Sequence, residues 1–252
     1  MTEVPSNVEW QRWGEIDPLF GVAAWEGKAR DGGAPWTDAE FYELGHSDWQ
    51  DFRHHWEHYG LDRAVCLEIG CGAGRITMHL AKDFKQTHAV DVSEGMLAYA
   101  RARITGASVT FHLSDGARLP VPDGAVTAVF STHVFQHFDS LAHASAYFAE
   151  VARVLAPGGS LMIHLPVHNW PAIPAVFDLL YRLRTAVAQT KATLLRPLIA
   201  RGKARPIMRR TSYPLPYLYT TLPGCGLTGV EVRIIAPRSN RDPHPFVLAR
   251  KM

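Results

Sequence analysis

The chain is poor in cysteine, with Cys66, Cys71 and Cys225 in 252 residues. Their number is odd and their spacing fits no zinc site, so neither a disulfide framework nor a structural zinc ion is predicted. No run of about 18 apolar residues exists, which excludes an ordinary membrane-spanning helix. The first residues also lack the basic and apolar regions of an export signal. We therefore expect a cytoplasmic protein.

The charge balance and the absence of repeats are compatible with an ordinary globular enzyme. The formal net charge is +2 and 47% of the residues are hydrophobic. At this length the chain can bury one full core with an added cap. We expect an N-terminal helical cap over residues 1–60. The core is expected over residues 61–252, with a lid insertion at about 166–227.

A glycine-rich segment follows the first predicted strand. Residues 65–75 read VCLEIGCGAGR, in which an apolar run carries Glu68 and three alternate glycines follow, Gly70, Gly72 and Gly74. Glycine permits positive φ and lets the backbone approach a ligand closely. A strand, a tight turn and a helix start form the place where open α/β sheets bind nucleoside cofactors. The segment therefore predicts a nucleoside site.

A dinucleotide is the alternative ligand for such a loop. Its fingerprint, G-x-G-x-x-G/A, needs a small residue at the sixth position, where this chain has Arg75. The spacing instead resembles motif I of the class I S-adenosylmethionine-dependent methyltransferases. That resemblance implies S-adenosylmethionine as the cofactor.

The next motifs arrive in the order of that family. Residues 86–91 read as a strand ending in Asp91, and Ser93 is a candidate N-cap for a helix over Glu94–Arg103. A carboxylate offers two accepting oxygens, which suits a pair of ribose hydroxyls. The resemblance gives Asp91 that role and places Met96 near the adenine. The alternatives are a helix cap or surface carboxylate for Asp91 and a core position for Met96.

The resemblance continues to residue 165. We predict strands over Val109–Leu113, about Ala125–Ser131 and Ser160–Leu165, with a helix over Ser140–Leu155. It implies a Rossmann-like seven-stranded sheet, mostly parallel with an antiparallel C-terminal strand and helices on both faces. Asp115 occupies the position that accepts from the adenine amino group, although an Asp-Gly turn is the alternative. The implied cofactor-binding residues are Glu68, Gly70, Gly72, Gly74, Asp91, Met96, Asp115, Gly116 and Ser131.

The segments outside this core are less regular. Residues 1–60 contain six of the seven tryptophans, and Thr37 and Ser47 are candidate N-caps for a helix that stops at Gly60. This region is expected to cover the cofactor cleft. From residue 181 to residue 210 there are nine Lys or Arg and no acid. That basic segment fits a solvated lid, a contact with the acidic N-terminal segment of the same or a neighbouring chain, or attraction of an anionic substrate or membrane surface. A homo-oligomer stays open, and nucleic acid is disfavoured because no binding motif accompanies the charge.

Histidines follow the fourth and fifth predicted strands, where open α/β sheets bind ligands. An alcohol that accepts a methyl group loses a proton, and imidazole titrates in a range that suits a general base. The candidate catalytic residues are His133, His137 and His168, whereas His164 is expected to be structural. A metal is the alternative for these histidines. Only Asp139 accompanies them, so no metal site is predicted.

The absence of two motifs disfavours two classes of methyl acceptor. After the fourth strand the chain reads STHV, so the (Asp/Asn/Ser)-Pro-Pro-aromatic motif of amino-directed nucleic-acid methyltransferases is absent. The paired-glutamate loop of protein arginine methyltransferases has no counterpart either. We therefore expect methyl transfer to a hydroxyl of a small molecule, a sugar or a natural product, and an anionic acceptor stays open. N- or C-methylation and a non-catalytic cofactor-binding module are the alternatives.

Overall fold

A computed structural model of the chain describes residues 5–168 and 211–252. It also describes six helical positions between these ranges: Leu183, Ala186, Val187, Thr190, Lys191 and Leu194. Most of the basic segment and most of the expected lid therefore lie outside the described residues. Across the part that is described, no helix is both long and apolar enough to cross a membrane.

A seven-stranded sheet forms the centre of the molecule. Its strands are β1 (Val65–Ile69), β2 (Gln86–Asp91), β3 (Val109–Leu113), β4 (Val126–Ser131), β5 (Leu155–His164), β8 (Leu227–Ile235) and β9 (His244–Lys251). Their order is β3-β2-β1-β4-β5-β9-β8. The pairs from β3 to β5 are parallel, while β9 runs antiparallel to both β5 and β8. The predicted Rossmann-like sheet with an antiparallel C-terminal strand is confirmed.

Helices lie on both sides of this sheet. They are α1 (Pro5–Ile16), α2 (Pro18–Val22), α3 (Asp38–Tyr59), α4 (Thr77–Asp83), α5 (Glu94–Arg101), α6 (Leu141–Val154) and α7 (Leu215–Gly224). A 3-10 turn covers Phe135–His137, and two short strands, β6 (Val167–His168) and β7 (Tyr213–Pro214), form a separate parallel pair.

Alternate residues of the central strands pack on opposite faces, as the strand period requires. On β4, Val129 belongs to the core cluster that contains Phe148 of α6 and Leu222 of α7. The preceding and following residues of β4 belong to the cluster on the other face, which contains Trp49 and Trp56 of α3. Burial on both faces explains why these strands read as continuous apolar runs.

The N-terminal tryptophans therefore have different positions. Trp49 and Trp56 are fully buried in the core against the sheet, and Trp56 Nε1 donates to Ser160 Oγ at 2.9 Å. Trp10 instead lies on α1 and lines the central pocket. The division of the chain at residue 60 stays a prediction.

Helix α3 begins at the first of its two predicted N-caps and not at the second. Thr37 is its N-cap, and Gly60 ends it in the left-handed conformation with φ +104°. Ser47 lies inside this helix rather than at its start, so the second predicted cap is wrong. The capping box between Thr37 and Glu40 satisfies main-chain donors at the first turn, which fixes the start ten residues earlier.

The boundaries of the core elements are close to those predicted. Ser93 caps α5 as expected, but the helix ends at Arg101 instead of Arg103. Strand β5 begins at Leu155 rather than Ser160, because Leu155 pairs with Val126 before the ladder shifts register. The Pro-Gly-Gly sequence is the irregularity within that strand.

Candidate functional site

One pocket of about 600 Å³ lies at the carboxyl ends of the parallel strands. Residues at or just after the ends of four strands line it: Gly70 after β1, Asp91 on β2, Thr132 after β4 and His164 on β5. Ligands bind at this edge in open α/β sheets. The described part of the structure therefore has a cavity next to the loop for which a nucleoside site is predicted.

The glycine loop forms one wall of this pocket. Gly70 and Gly72 line it with φ of +71° and +53°, a region that residues with a Cβ rarely adopt. A Cβ at Gly70 would meet the side chain of Val134, and one at Gly72 would meet Val22. The main-chain N–H of Gly70 donates to Val90 O at 2.7 Å, which fixes the loop against β2. The loop thus brings bare backbone to the cavity wall.

Asp91 lies beside this loop and also lines the pocket. Its carboxylate accepts a 2.8 Å hydrogen bond from the Gly72 N–H and a 2.9 Å bond from the Ser93 N–H. Burial raises the pKa of Asp91, while these main-chain donors lower it. Each carboxylate oxygen can accept more than one hydrogen bond, so the Asp91 carboxylate retains accepting capacity for a ligand.

Three other predicted cofactor residues lie behind the wall rather than on it. Glu68 is buried, and its carboxylate accepts from Thr77 Oγ1 at 2.6 Å. Burial raises the pKa of Glu68 to about 7. Ser131 Oγ donates to Ile69 O at 2.9 Å, and Gly74 packs against Ala100 of α5. These residues fix the ends of β1 and β4 and the position of α5.

The remaining predicted cofactor residues divide in the same way. Met96 and Gly116 line the pocket, together with Ser114. Asp115 is exposed, and its carboxylate accepts from the main-chain N–H groups of Ala117 and Arg118 at 2.9 and 3.1 Å. These bonds lower the pKa of Asp115. The structure therefore shows the Asp115 side chain closing a turn, next to the pocket-lining Gly116.

Two of the three predicted catalytic histidines line the pocket. His137 is buried, its Nε2 lies 3.0 Å from Gln136 Nε2, and its ring contacts Trp10 edge-on at 4.6 Å between centroids. His133 lies at the end of β4, four residues earlier, and its backbone is left-handed with φ +60°. Both side chains are thus available to a molecule in the cavity.

His168 has a different position. It lies on β6 in the small sheet, with Nδ1 3.0 Å from Ser212 Oγ, and it is not among the residues that line the pocket. The turn after β5 carries it away from the strand ends.

His133 belongs to a cluster of three histidines that sequence reasoning did not find. His164 ends β5 and His244 begins β9, and both line the pocket. The ring of His133 lies 4.4 Å from that of His164 and 5.1 Å from that of His244, between centroids. Burial, followed by the charges of His164 and Arg75, lowers the pKa of His133 well below its usual value. Its ring is therefore neutral at neutral pH, the form that accepts a proton or a metal.

A buried ion pair lies at the edge of the same cavity. Arg75, the residue that argued against a dinucleotide loop, contacts Asp48 of α3 through its guanidinium. Ser239 Oγ also donates to the Asp48 carboxylate. Both members of the pair are almost fully buried. The pair connects the glycine loop with α3 and with the loop before β9.

Comparison with known proteins identifies the domain. Residues 67–163 match the family model described as a methyltransferase domain. The chain is 36% identical over 108 residues to a malonyl-[acyl-carrier protein] O-methyltransferase of Hahella chejuensis, covering 40% of this chain and 38% of that one. It is 26% identical over 171 residues to the ajmaline N-methyltransferase of Rauvolfia serpentina, covering 52% and 58%. The matched part spans less than two thirds of either relative.

A solved structure extends the similarity to the whole fold. The chain superposes with a TM-score of 0.60 on the magnesium protoporphyrin IX methyltransferase of Synechocystis PCC 6803 with bound S-adenosylhomocysteine. The sequences are 17% identical, and the match covers 98% of this chain and 100% of that one. At this identity the match shows the fold. Together with the domain match, it confirms the predicted class I S-adenosylmethionine-dependent methyltransferase domain and its cofactor.

Proposed function

We propose that this chain, whose residues 67–163 form a methyltransferase domain that uses S-adenosylmethionine, transfers a methyl group to an oxygen of a small molecule. The observation that carries the proposal is that one cavity is lined both by Gly70, Gly72 and Asp91 and by His133. Cofactor and acceptor must share a single enclosed space for direct transfer, and this cavity supplies one.

The residues at the glycine-loop end fit the cofactor. The positive φ of Gly70 and Gly72 exposes main chain where any Cβ would intrude. We assign the free lone pairs of Asp91 to the ribose hydroxyls and the Met96 side chain to contact with the adenine. Gly116, with the turn that Asp115 closes, completes that wall. Glu68, Gly74 and Ser131 support it from behind.

We assign the histidine end of the cavity to the acceptor, where side chains must position the acceptor and receive its proton. S-adenosylmethionine supplies a methyl carbon on positively charged sulfur, and the electron pair of the broken S–C bond stays on that sulfur. The acceptor oxygen forms the new C–O bond and loses its proton, which we assign to the neutral imidazole of His133. A positioned base of this kind contributes about 10²- to 10⁴-fold to the rate. His137 and Trp10 form the neighbouring wall and hold the acceptor in place.

The choice of oxygen over nitrogen rests on the histidines of the pocket. Methyl transfer to a neutral alcohol forms a protonated ether, which is a strong acid, so alcohol acceptors benefit from a base within the pocket. The relatives named above comprise one O-methyltransferase and one N-methyltransferase. An amine acceptor is therefore the second candidate. A sugar or natural-product hydroxyl stays the proposed class.

Isotope-labelled S-adenosylmethionine offered with sugars, phenols, carboxylic acids and amines tests the proposal. We expect label in an O-methyl product. The His133→Ala variant should lose about 10²-fold or more in kcat while S-adenosylhomocysteine binds with unchanged affinity. The matched control is His88→Ala. His88 lies on β2, is paired with His112 of β3 and does not line the pocket, so this variant should leave turnover unchanged. Label found only in amines would overturn the oxygen assignment, and full activity of His133→Ala would overturn the base.

A further inference from the structure

Three imidazoles from distant parts of the chain converge on one wall of the pocket. His133 follows β4, His164 ends β5 and His244 begins β9. A nitrogen from each ring lies within 4.8 Å of a nitrogen from each of the others. All three residues also line the pocket. No other group of three His, Cys, Asp or Glu within the described residues has this arrangement.

The backbone of His133 has an uncommon conformation in this arrangement. His133 has φ +60°, which a residue with a side chain adopts uncommonly. Strained backbone of this kind persists where the surrounding structure imposes it, and it clusters at functional sites. The His133 N–H donates to His164 Nδ1 at 3.3 Å, so the strained residue is fixed against the second ring of the cluster.

We infer that His133, His164 and His244 form a binding site for a divalent transition-metal ion of the Zn²⁺ or Co²⁺ type, with a coordination position open to the pocket. Imidazole nitrogens suit zinc, cobalt, nickel and copper, whereas magnesium and calcium take oxygen ligands. Three protein ligands and one open position are the arrangement of catalytic zinc sites.

The cluster must close somewhat to hold an ion. Zn–N bonds of about 2.0–2.1 Å place tetrahedral ligand nitrogens about 3.3 Å apart. The ring nitrogens start within 4.8 Å of one another. Two ring nitrogens of the cluster hold long hydrogen bonds, His164 Nδ1 to the His133 N–H and His244 Nε2 to Asn240 Nδ2, each 3.3 Å. Both nitrogens accept in these bonds and are therefore unprotonated, and a metal that uses one of these lone pairs would displace a long hydrogen bond.

The charge around the cluster does not exclude a cation. Arg75 lines the same pocket, but its guanidinium is paired with Asp48. Asp242 also lines the pocket beside His244. The buried positive charge of Arg75 is thus compensated by the carboxylate of Asp48.

An ion in this position would change how the acceptor is activated, and this consequence rests on the proposed function. The acceptor hydroxyl would occupy the open position, and its proton would pass to solvent water because a metal-bound oxygen is much more acidic. His133 would then act as a metal ligand instead of a base. The ion site itself does not depend on methyl transfer and is measurable alone.

Titration of chelator-treated protein with Co²⁺ and Zn²⁺ tests the inference. We expect one ion per chain, and we expect Co²⁺ to show the intense visible absorption of a four-coordinate complex. His244→Ala should weaken the affinity at least tenfold and remove that spectrum. Other histidine pairs, His54 with His58 and His88 with His112, could bind ions adventitiously. His58→Ala and His112→Ala are therefore the matched controls and should retain both the affinity and the spectrum.

Folding and cofactor binding are checked on the same samples. S-adenosylhomocysteine should bind to His244→Ala with unchanged affinity, which separates loss of the metal from loss of the pocket. If His244→Ala unfolds, His244→Asn and His164→Gln replace it. The inference is overturned if the wild type binds no ion with Co²⁺ or Zn²⁺, or if only the control variants lose binding. Full methyl transfer by the metal-free protein would overturn the activating role alone, whereas failure of methyl transfer in both forms would count against the proposed function.

Discussion

The main-chain N–H of Gly72 donates a 2.8 Å hydrogen bond to the carboxylate of Asp91. Gly72 lies in the loop after β1, and Asp91 ends the adjacent parallel strand β2, so this bond fixes the distance between the glycine loop and the end of β2. The same carboxylate also accepts from the Ser93 N–H. The cofactor wall is therefore held in place before any ligand enters.

Replacing Asp91 should weaken cofactor binding. In Asp91→Asn the amide NH₂ must face either the Gly72 or the Ser93 N–H, so one hydrogen bond becomes a repulsion and the charge is lost. Hydrogen bonds to charged groups contribute about 1.5–3 kcal/mol, so the dissociation constant for S-adenosylhomocysteine should rise about 10- to 100-fold. Calorimetry measures it. Asp123→Asn, at an exposed position beside Arg153, should bind normally, and an unchanged Asp91→Asn would contradict the ribose assignment.

Gly70 should tolerate alanine less well than another glycine of similar φ. Gly158 has φ +79° and open space around a Cβ, so Gly158→Ala should cost only the left-handed strain of about 1–2 kcal/mol. Gly70→Ala adds a collision with Val134, and overpacking costs about 1–3 kcal/mol more. Urea unfolding of the two variants compares these costs. Equal destabilisation would show that Val134 moves aside freely.

Local signals explain how much of this wall could be predicted from the sequence. The alternate glycines, the strand that ends in Asp91 and the Ser93 cap all lie within short segments, and the structure has them at the predicted positions. Asp115 shows the limit. An Asp before a glycine fits both a ligand contact and a turn, and the structure shows its carboxylate in the turn.

Nonlocal contacts could not be predicted in this way. His244 follows His133 by more than a hundred residues, and only the antiparallel pairing of β9 with β5 brings them together. Arg75 was informative as a residue too large for a dinucleotide loop. Nothing near it in the sequence indicated that Asp48 of α3 compensates its charge.

The buried Arg75–Asp48 pair should be important for stability. Arg75→Met leaves the Asp48 carboxylate buried without its partner, and breaking such a pair costs about 3–5 kcal/mol. Arg238 pairs with Asp51 while most of its side chain is exposed, so Arg238→Met should cost no more than about 1 kcal/mol. Chemical unfolding measures both variants. A similar small loss for each would show that water reaches Asp48 readily.

Glu68 should make the free energy of unfolding depend on pH. Burial raises its pKa from the usual 4.5 to about 7, so the folded state binds more protons at this group than the unfolded state between these values. The free energy of unfolding contributed by Glu68 therefore falls as pH rises from about 4.5 to about 7. Glu68→Gln should remove this contribution.

Urea unfolding at several pH values between 5 and 8 measures the difference between wild type and variant. We expect the stability of Glu68→Gln relative to wild type to grow from pH 5 to about pH 7 and then to level off. Glu94→Gln, on exposed α5 surface beside Arg101, should show no such trend. A constant difference between Glu68→Gln and wild type would contradict the raised pKa.

The most direct test of the central claim is calorimetric titration of the folded protein with S-adenosylmethionine, S-adenosylhomocysteine and NAD⁺. The cavity at Gly70, Gly72 and Asp91 should bind the first two with one molecule per chain and should show no affinity for NAD⁺. Absence of binding by both sulfur nucleosides, or tighter binding of NAD⁺, would contradict the account.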